Sequence, residues 1–494
     1  MNTLEKVIKR TDEFIEVMPK ESRKKYGQFF TSKETARFMA SLFDIPAGKS
    51  LTILDPGAGT GILSAALIER LEEMKTTQKV YLICYETDPI VIPLLKKNLE
   101  TLKAESETDL SYEIREENYI TSQKDEYNRA LIAQEPLQAD LVIGNPPYKK
   151  IGKDAAEALA MPDICYGAPN LYFLFTIMAL FDLKKDGQLV FIMPRSWTSG
   201  FYFARFRKKL FEEGIIDHIH LFESRKKVFK AENVLQETVI LKLVKTTDKP
   251  ETITLTTTVS NEDFNEIESI EVPYGTVVSD LNNYVYLTSN SGELETLNTL
   301  SQFRDTLPDL GLRMKTGLTV DFRNREALRN QSETEAVPLF YAQHLKKGRV
   351  VFPIGKENEF LVSDKRGLFQ PNKNYLFMKR FTTKEEYRRL QCAIYLAEDF
   401  PEYEEISTHN KLNFISGVDR DLEEPVLYGL YVLFNSTLYD QYYRILNGST
   451  QVNSTEINSM PVPSLQAIEK MGCELLKGLD YSTAACDRIL EHYL

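Results

Sequence analysis

Residues 51–71, LTILDPGAGTGILSAALIERL, change character twice within one short stretch. Leu51 to Asp55 is a brief apolar run of strand type. Pro56 to Gly61 is a glycine-rich turn, and from Ile62 the apolar residues recur at helical spacing. Strand, glycine turn and helix in that order open a βαβ unit. Glycines let a ligand approach the backbone, and the first turn of the helix offers it unsatisfied N–H donors.

The alternation continues in both directions. YLICYE at 81–86 is a second buried strand, and IVIPLLKKNLE at 90–100 is a helix whose Pro93 is tolerated only near the first turn. DLVIGN at 140–145 and GQLVFIMP at 187–194 are further strands, with the helix LYFLFTIMALF between them. Helical spacing also marks residues 2–18 and Thr35 to Leu42. Such alternation predicts an α/β fold with a doubly wound, mostly parallel, Rossmann-like sheet and ligands at the strand C-termini.

Near residue 245 the pattern stops. KTTDKPETITLTTTVS is rich in Thr, and NEDFNEIESIE at 261–271 carries five acids and no base. The reading places a first domain at 1–245, a linker or domain seam at 246–300, and a separate α+β domain at 301–494. The 494 residues suffice for two large units, each with its own core. The longest apolar stretch, Leu171 to Phe181, is interrupted by Thr176 and ends at Asp182, short of a membrane span. The charged N-terminus lacks the apolar core of a secretory signal, so a cytosolic protein is expected. Five cysteines without a C-x-x-C pair argue against a disulfide framework or a zinc site, and no metal is expected. A formal charge of −12 argues against nucleic acid, but only weakly, because the field at the binding face decides.

Two segments carry chemistry. Thirty-one residues after Asp55, the second strand ends in Glu86, placed to accept hydrogen bonds from both ribose hydroxyls of an adenosine-containing cofactor. The turn spacing is GxGxG, so the pyrophosphate fingerprint is imperfect, and nothing suggests hydride chemistry. The second segment is Gly144-Asn145-Pro146-Pro147-Tyr148. The Asn145 side-chain oxygen and the Pro146 carbonyl can both accept from one exocyclic amino group, drawing its nitrogen toward tetrahedral geometry and freeing the lone pair. Pro146 and Pro147 fix φ and stiffen the loop, and Tyr148 supplies a face for an extruded base.

With Asp55 to Gly61 followed by Asn145 to Tyr148, the sequence resembles the DNA adenine-N6 methyltransferases that use S-adenosylmethionine. The order of Tyr26-Gly27-Gln28-Phe29-Phe30-Thr31, glycine turn, catalytic loop and long C-terminal region is similar to the gamma class, and the whole pattern resembles the PstI/BsuBI-type modification methyltransferases, whose target is CTGCAG. The resemblance implies S-adenosyl-L-methionine as cofactor. Gln28, Phe29 and Thr31 would border its methionine end; Asp55, Gly57, Gly59 and Gly61 its centre; and Glu86 its ribose. Many relatives have Asp-Phe where this chain has Asn118-Tyr119; Asn can still pair with the cofactor adenine, and Tyr can still cover it. The second domain becomes a target-recognition domain, and the implied activity is N6 methylation of a flipped adenine in duplex DNA, protecting host DNA from a separate cognate restriction endonuclease.

Basic residues support a DNA partner. Between Arg195 and Lys230 there are nine Lys/Arg against four acids, among them Arg195, Arg205, Arg207 and Lys208, with aromatic residues interleaved. Lys149 and Lys150 follow the catalytic loop directly. A second group, from Lys365 to Arg389, includes Lys379 and Arg380. The loop GSTQVNSTEINSMPVPS at 448–464 resembles the closing segment of target-recognition domains. No nuclease motif is present. An Asn-Pro-Pro-Tyr loop also serves amine methylation on RNA or on a protein glutamine, and a chain that only recognises DNA is a further alternative, which the glycine turn disfavours.

Overall fold

A computed structural model of the chain describes residues 2–17, 31–45, 50–75, 79–130, 135–222, 238–261, 264–280, 282–333, 335–383, 385–447 and 450–494. It divides into two compact units, Met1–Thr198 with Tyr202–Ser289, and Ser199–Phe201 with Asn290–Leu494.

The first unit is built on a nine-stranded sheet. Its strands are β1 (Ser50–Asp55), β2 (Lys79–Tyr85), β3 (Asp109–Arg115), β4 (Ala139–Gly144), β5 (Leu183–Pro194), β6 (Ile215–Phe222), β7 (Thr238–Val244), β8 (Thr252–Thr258) and β9 (Glu268–Pro273), in the spatial order 3-2-1-4-5-7-6-8-9. The run β3-β2-β1-β4-β5 is parallel, and β7 is antiparallel to both β5 and β6. Chain order reverses at β1, between β2 and β4, so a crevice opens at the C-terminal ends of these strands. The fold is thus the doubly wound, mostly parallel α/β architecture that the alternating periodicity implies.

The helix Ile62–Met74 is buried at most of its positions. The helices Thr3–Val17 and Lys33–Ser41 contribute Leu4, Val7, Ala36 and Met39 to the same core cluster as Ile53 and Leu67. Pro93 stands in the first turn of the helix Ile92–Glu105, where its missing N–H is harmless.

The expected seam at 246–300 is corrected. Residues 252–258 and 268–273 are strands β8 and β9 of the same sheet, and the division between units falls after Ser289. Thr-rich sequence looks like linker by polarity, yet β-branched Thr suits a pleated strand. The acids that suggested solvent exposure, Glu268 and Glu271, lie exposed on β9 at the sheet's edge, where charge discourages pairing with another chain.

The second unit mixes a six-stranded and a five-stranded sheet with helices. Helices Glu424–Asn435 and Leu465–Gly478 cross at Gly429 and Gly472. A Cβ added at either glycine would overlap the carbonyl oxygen of the other helix, Ile468 for Gly429 and Pro425 for Gly472. Among the described residues no helix is long and apolar enough to cross a membrane, and no group of His, Cys, Asp and Glu is placed to hold a metal ion.

Candidate active site

A cavity of about 240 Å³ lies at the switch point of the first unit's sheet. Four consecutive strand ends supply its walls: the turn Pro56–Thr60 after β1, Glu86 after β2, Glu117 to Tyr119 after β3, and Asn145 with Pro147 after β4.

The glycine turn is shaped for close approach. Gly59 and Gly61 have φ of 54° and 85°, in the left-handed region that favours glycine. A Cβ on Gly59 would meet no atom within 4 Å, so the backbone there faces open space. Asp55 is fully buried, and its Oδ2 accepts from Ser64 Oγ at 2.7 Å. Its Oδ1 has no hydrogen-bond partner, and burial pushes the carboxyl up to about 7.

Glu86 closes the second wall. One oxygen accepts from Gly59 N at 2.9 Å, and the other from Thr87 N at 2.7 Å and Asp88 N at 2.8 Å. Burial raises its pKa while these three N–H donors oppose the rise. The carboxylate therefore locks the β1 turn to the end of β2.

On the third wall, Asn118 caps the short helix Tyr119–Ser122, its Oδ1 accepting from Ile120 N and Thr121 N, both at 3.1 Å. Its Nδ2 donates to Glu157 Oε1 at 2.9 Å. Tyr119 lines the cavity but is 1% exposed, with its hydroxyl donating to Asp182 Oδ2 at 2.7 Å.

The fourth wall is the Asn-Pro-Pro-Tyr loop. Gly144 precedes it because a Cβ there would lie 2.8 Å from the ring of Phe191, its partner on β5. Asn145 Nδ2 donates to Thr31 Oγ1 at 3.3 Å, leaving the amide oxygen as an acceptor. Tyr148 is half-buried; its hydroxyl donates to the Ile192 carbonyl at 3.2 Å, and its ring meets Tyr172 edge-on at 6.4 Å. Gln28 and Phe29 lie outside the described residues.

The expected DNA-contacting residues divide. Lys149 and Lys150 are exposed and run antiparallel to residues 169–171, with Leu171 N donating to the Lys149 carbonyl at 2.9 Å. Arg205, also exposed, donates to the Cys165 carbonyl at 2.8 Å, and Lys150 Nζ stands over the Tyr202 ring at 5.4 Å. The 165–171 loop thus gathers Lys149, Lys150 and Arg205 beside the Asn-Pro-Pro-Tyr loop. Lys208 is exposed and paired with Glu212 at 3.8 Å, and Arg195 is half-buried. Arg207 is a correction: it is 1% exposed, donates to the Trp197 carbonyl at 3.0 Å and lies over the Tyr284 ring at 4.8 Å. The helix Ala204–Glu213 turns this one position of its basic run inward, so Arg207 is structural. Lys379 and Arg380 are half-buried in the second unit, where Arg380 donates to the Asn410 carbonyl at 2.9 Å.

Among the cavity residues that sequence reading missed are Leu171, Phe175 and Glu157. Leu171 and Phe175 were legible in principle, being one helical turn apart on one face. Glu157 stands in a five-residue helix with no motif around it.

A glycine cradle at the switch point and a carboxylate at the end of β2 fit a nucleoside-containing cofactor. With the Asn-Pro-Pro-Tyr loop opening on the same cavity, fold and site define an α/β methyltransferase. The Eco57I restriction-modification methylase family model matches residues 67–229. The chain is 33% identical to the type II methyltransferase M.PstI of Providencia stuartii, covering 96% of this chain and 93% of that one. It is 32% identical to M.BsuBI of Bacillus subtilis, covering 93% and 92%. Among solved structures, the type I restriction-modification methyltransferase subunit of Streptococcus thermophilus superposes with a TM-score of 0.37 at 18% identity, covering 56% of this chain and 53% of that one. The chain belongs to the type II methyltransferases of restriction-modification systems. It is a DNA methyltransferase, and its cofactor is S-adenosyl-L-methionine.

Proposed function

We propose that this methyltransferase modifies N6 of an adenine flipped out of duplex DNA, with CTGCAG as the first target to test. The observation that carries the reading is the convergence of Asn145 and Pro147 on the same cavity as the glycine turn and Glu86. An amino group conjugated to a ring is a poor nucleophile until acceptors hold its hydrogens out of the ring plane. The Asn145 amide oxygen and the Pro146 carbonyl are the two acceptors, on a loop with two fixed φ angles. The half-buried Tyr148, anchored through its hydroxyl to the Ile192 carbonyl, bounds the position of the flipped base.

The cofactor assignments are supported by Thr31, Gly57, Gly59, Glu86, Asn118 and Tyr119, which line the cavity, while Asp55 and Gly61 stand in the same turn behind its wall. In this reading Thr31 borders the methionine end, Asp55 with Gly57, Gly59 and Gly61 the centre, Glu86 the ribose, and Asn118 and Tyr119 the adenine. S-adenosylmethionine supplies the methyl group as a sulfonium-activated electrophile. The substrate nitrogen would bond to the methyl carbon as the carbon–sulfur bond breaks, with S-adenosylhomocysteine as the leaving group, and would then give up one proton to solvent. Lys149, Lys150 and Arg205 are placed to meet phosphates beside the loop, and the partner endonuclease is a separate protein.

Expression of the chain alone in a host without DNA methylation, followed by sequencing with base-modification detection, is the test. N6-methyladenine in CTGCAG is expected, and its loss in Asn145→Ala with cofactor binding retained. Methylation of another base, or of RNA or protein in place of DNA, would overturn the proposal.

A further inference from the structure

The cavity has a feature that no family motif anticipates. At the wall formed by the end of β3, the expected adenine partner Asn118 has its amide oxygen committed to two backbone N–H groups of the helix it caps. Its Nδ2 instead holds a second side chain, Glu157, at 2.9 Å. Both residues line the cavity. Among the described residues, this is the one side-chain hydrogen bond that Glu157 makes, and no cation pairs with it; Lys149 lines the same cavity without forming an ion pair to it. A carboxylate in a ligand cavity, held by a neutral amide, retains acceptor capacity for a donor on the ligand.

Position decides which donor. Glu86 is at the end of β2, and the next strand outward is β3. A nucleoside whose ribose meets Glu86 therefore directs its base toward Asn118 and Glu157. Adenine presents a donor, its 6-amino group, beside an acceptor, N1. The Glu157 carboxylate matches the first, and the second N–H of Asn118 Nδ2 can serve the second.

We propose that Glu157, positioned by Asn118, accepts a hydrogen bond from the 6-amino group of the cofactor's adenine and so selects a 6-aminopurine cofactor. The inference rests on the cofactor placement given above. S-adenosylhomocysteine and S-inosylhomocysteine are suitable probes, because hypoxanthine reverses both positions, with a carbonyl at C6 and a hydrogen on N1.

Calorimetric titration of the full chain should show S-adenosylhomocysteine binding more tightly by about tenfold or more, as expected for a bond to a charged group. Glu157→Gln can turn its amide either way, and should bring the two ligands to within about threefold of each other at an unchanged melting temperature. Asn118→Asp keeps the helix cap but sets a carboxylate against Glu157, and should weaken S-adenosylhomocysteine binding. Undiminished preference in Glu157→Gln would overturn the inference while leaving the cofactor site standing. Failure of the unaltered chain to bind S-adenosylhomocysteine would remove the cofactor site and the inference together.

Discussion

Thr31 Oγ1 accepts a hydrogen bond from Asn145 Nδ2 at 3.3 Å, joining residues 114 positions apart in the chain. Thr31 is 8% exposed and lines the cavity into which Asn145 opens. The bond helps to orient the Asn145 amide. Thr31→Val keeps shape and removes this acceptor, loosening one of the contacts that hold the amide. Turnover should fall about tenfold with little change in melting temperature, and Thr31→Ser should recover most of it. Single-turnover methylation of a DNA duplex measures this.

His218 and His220 form a chain through β8. His218 Nε2 lies 2.8 Å from Thr256 Oγ1, His220 Nδ1 lies 2.9 Å from the same hydroxyl, and His220 Nε2 lies 3.1 Å from Thr258 Oγ1, which donates to the Ser260 carbonyl. One consistent assignment runs from His218 N–H through Thr256 to His220, and from His220 N–H through Thr258 to Ser260, with both rings neutral. Burial lowers their pKa values to about 4 and about 3. Because the folded values lie below the unfolded one, the stability they contribute is complete above pH 6.5 and is lost as pH falls toward 4. For His220, fully buried, the loss at pH 5 is about 2 kcal/mol. Urea midpoints at pH 7.5 and pH 5 should therefore diverge less in His220→Gln than in the unaltered protein.

Arg207 and Lys149 separate stability from DNA affinity. Truncating the buried guanidinium in Arg207→Ala strands the Trp197 carbonyl and opens space beside Tyr284, and should cost about 2–4 kcal/mol of stability. Lys149→Ala and Lys150→Ala remove exposed charges. They should leave the unfolding midpoint unchanged, weaken DNA binding and reduce the salt dependence of the affinity by about one ion each. Thermal unfolding and fluorescence anisotropy at several salt concentrations distinguish the two classes.

Gly472→Ala tests the helix crossing in the second unit. Helix propensity favours Ala by about 1 kcal/mol, but the new methyl would occupy the space of the Pro425 carbonyl. The clash wins, so the variant should be less stable by about 1–3 kcal/mol, whereas Gly478→Ala, with nothing near its Cβ, should not be.

Legibility in the sequence followed periodicity. The β1 turn, Glu86 and the Asn-Pro-Pro-Tyr loop were readable because each sits at a change of period, where a strand stops and a special backbone begins. Residues 252–273 misled because Thr and Glu look like linker in composition, while edge strands use both. Arg207 misled because a charge run carries no phase: Arg205 and Lys208 face solvent, while Arg207 between them faces the core. Glu157 had no sequence signal, since only the folded loop brings it to Asn118.

The bond from Gly59 N to Glu86 spans two strand ends. It is a contact of the protein with itself, so the fold aligns turn and carboxylate, and a nucleoside meeting both would not have to bring these two elements together. Glu86→Ala would release the glycine turn as well as remove the proposed ribose acceptor, and its effect on cofactor binding should exceed that of two lost hydrogen bonds.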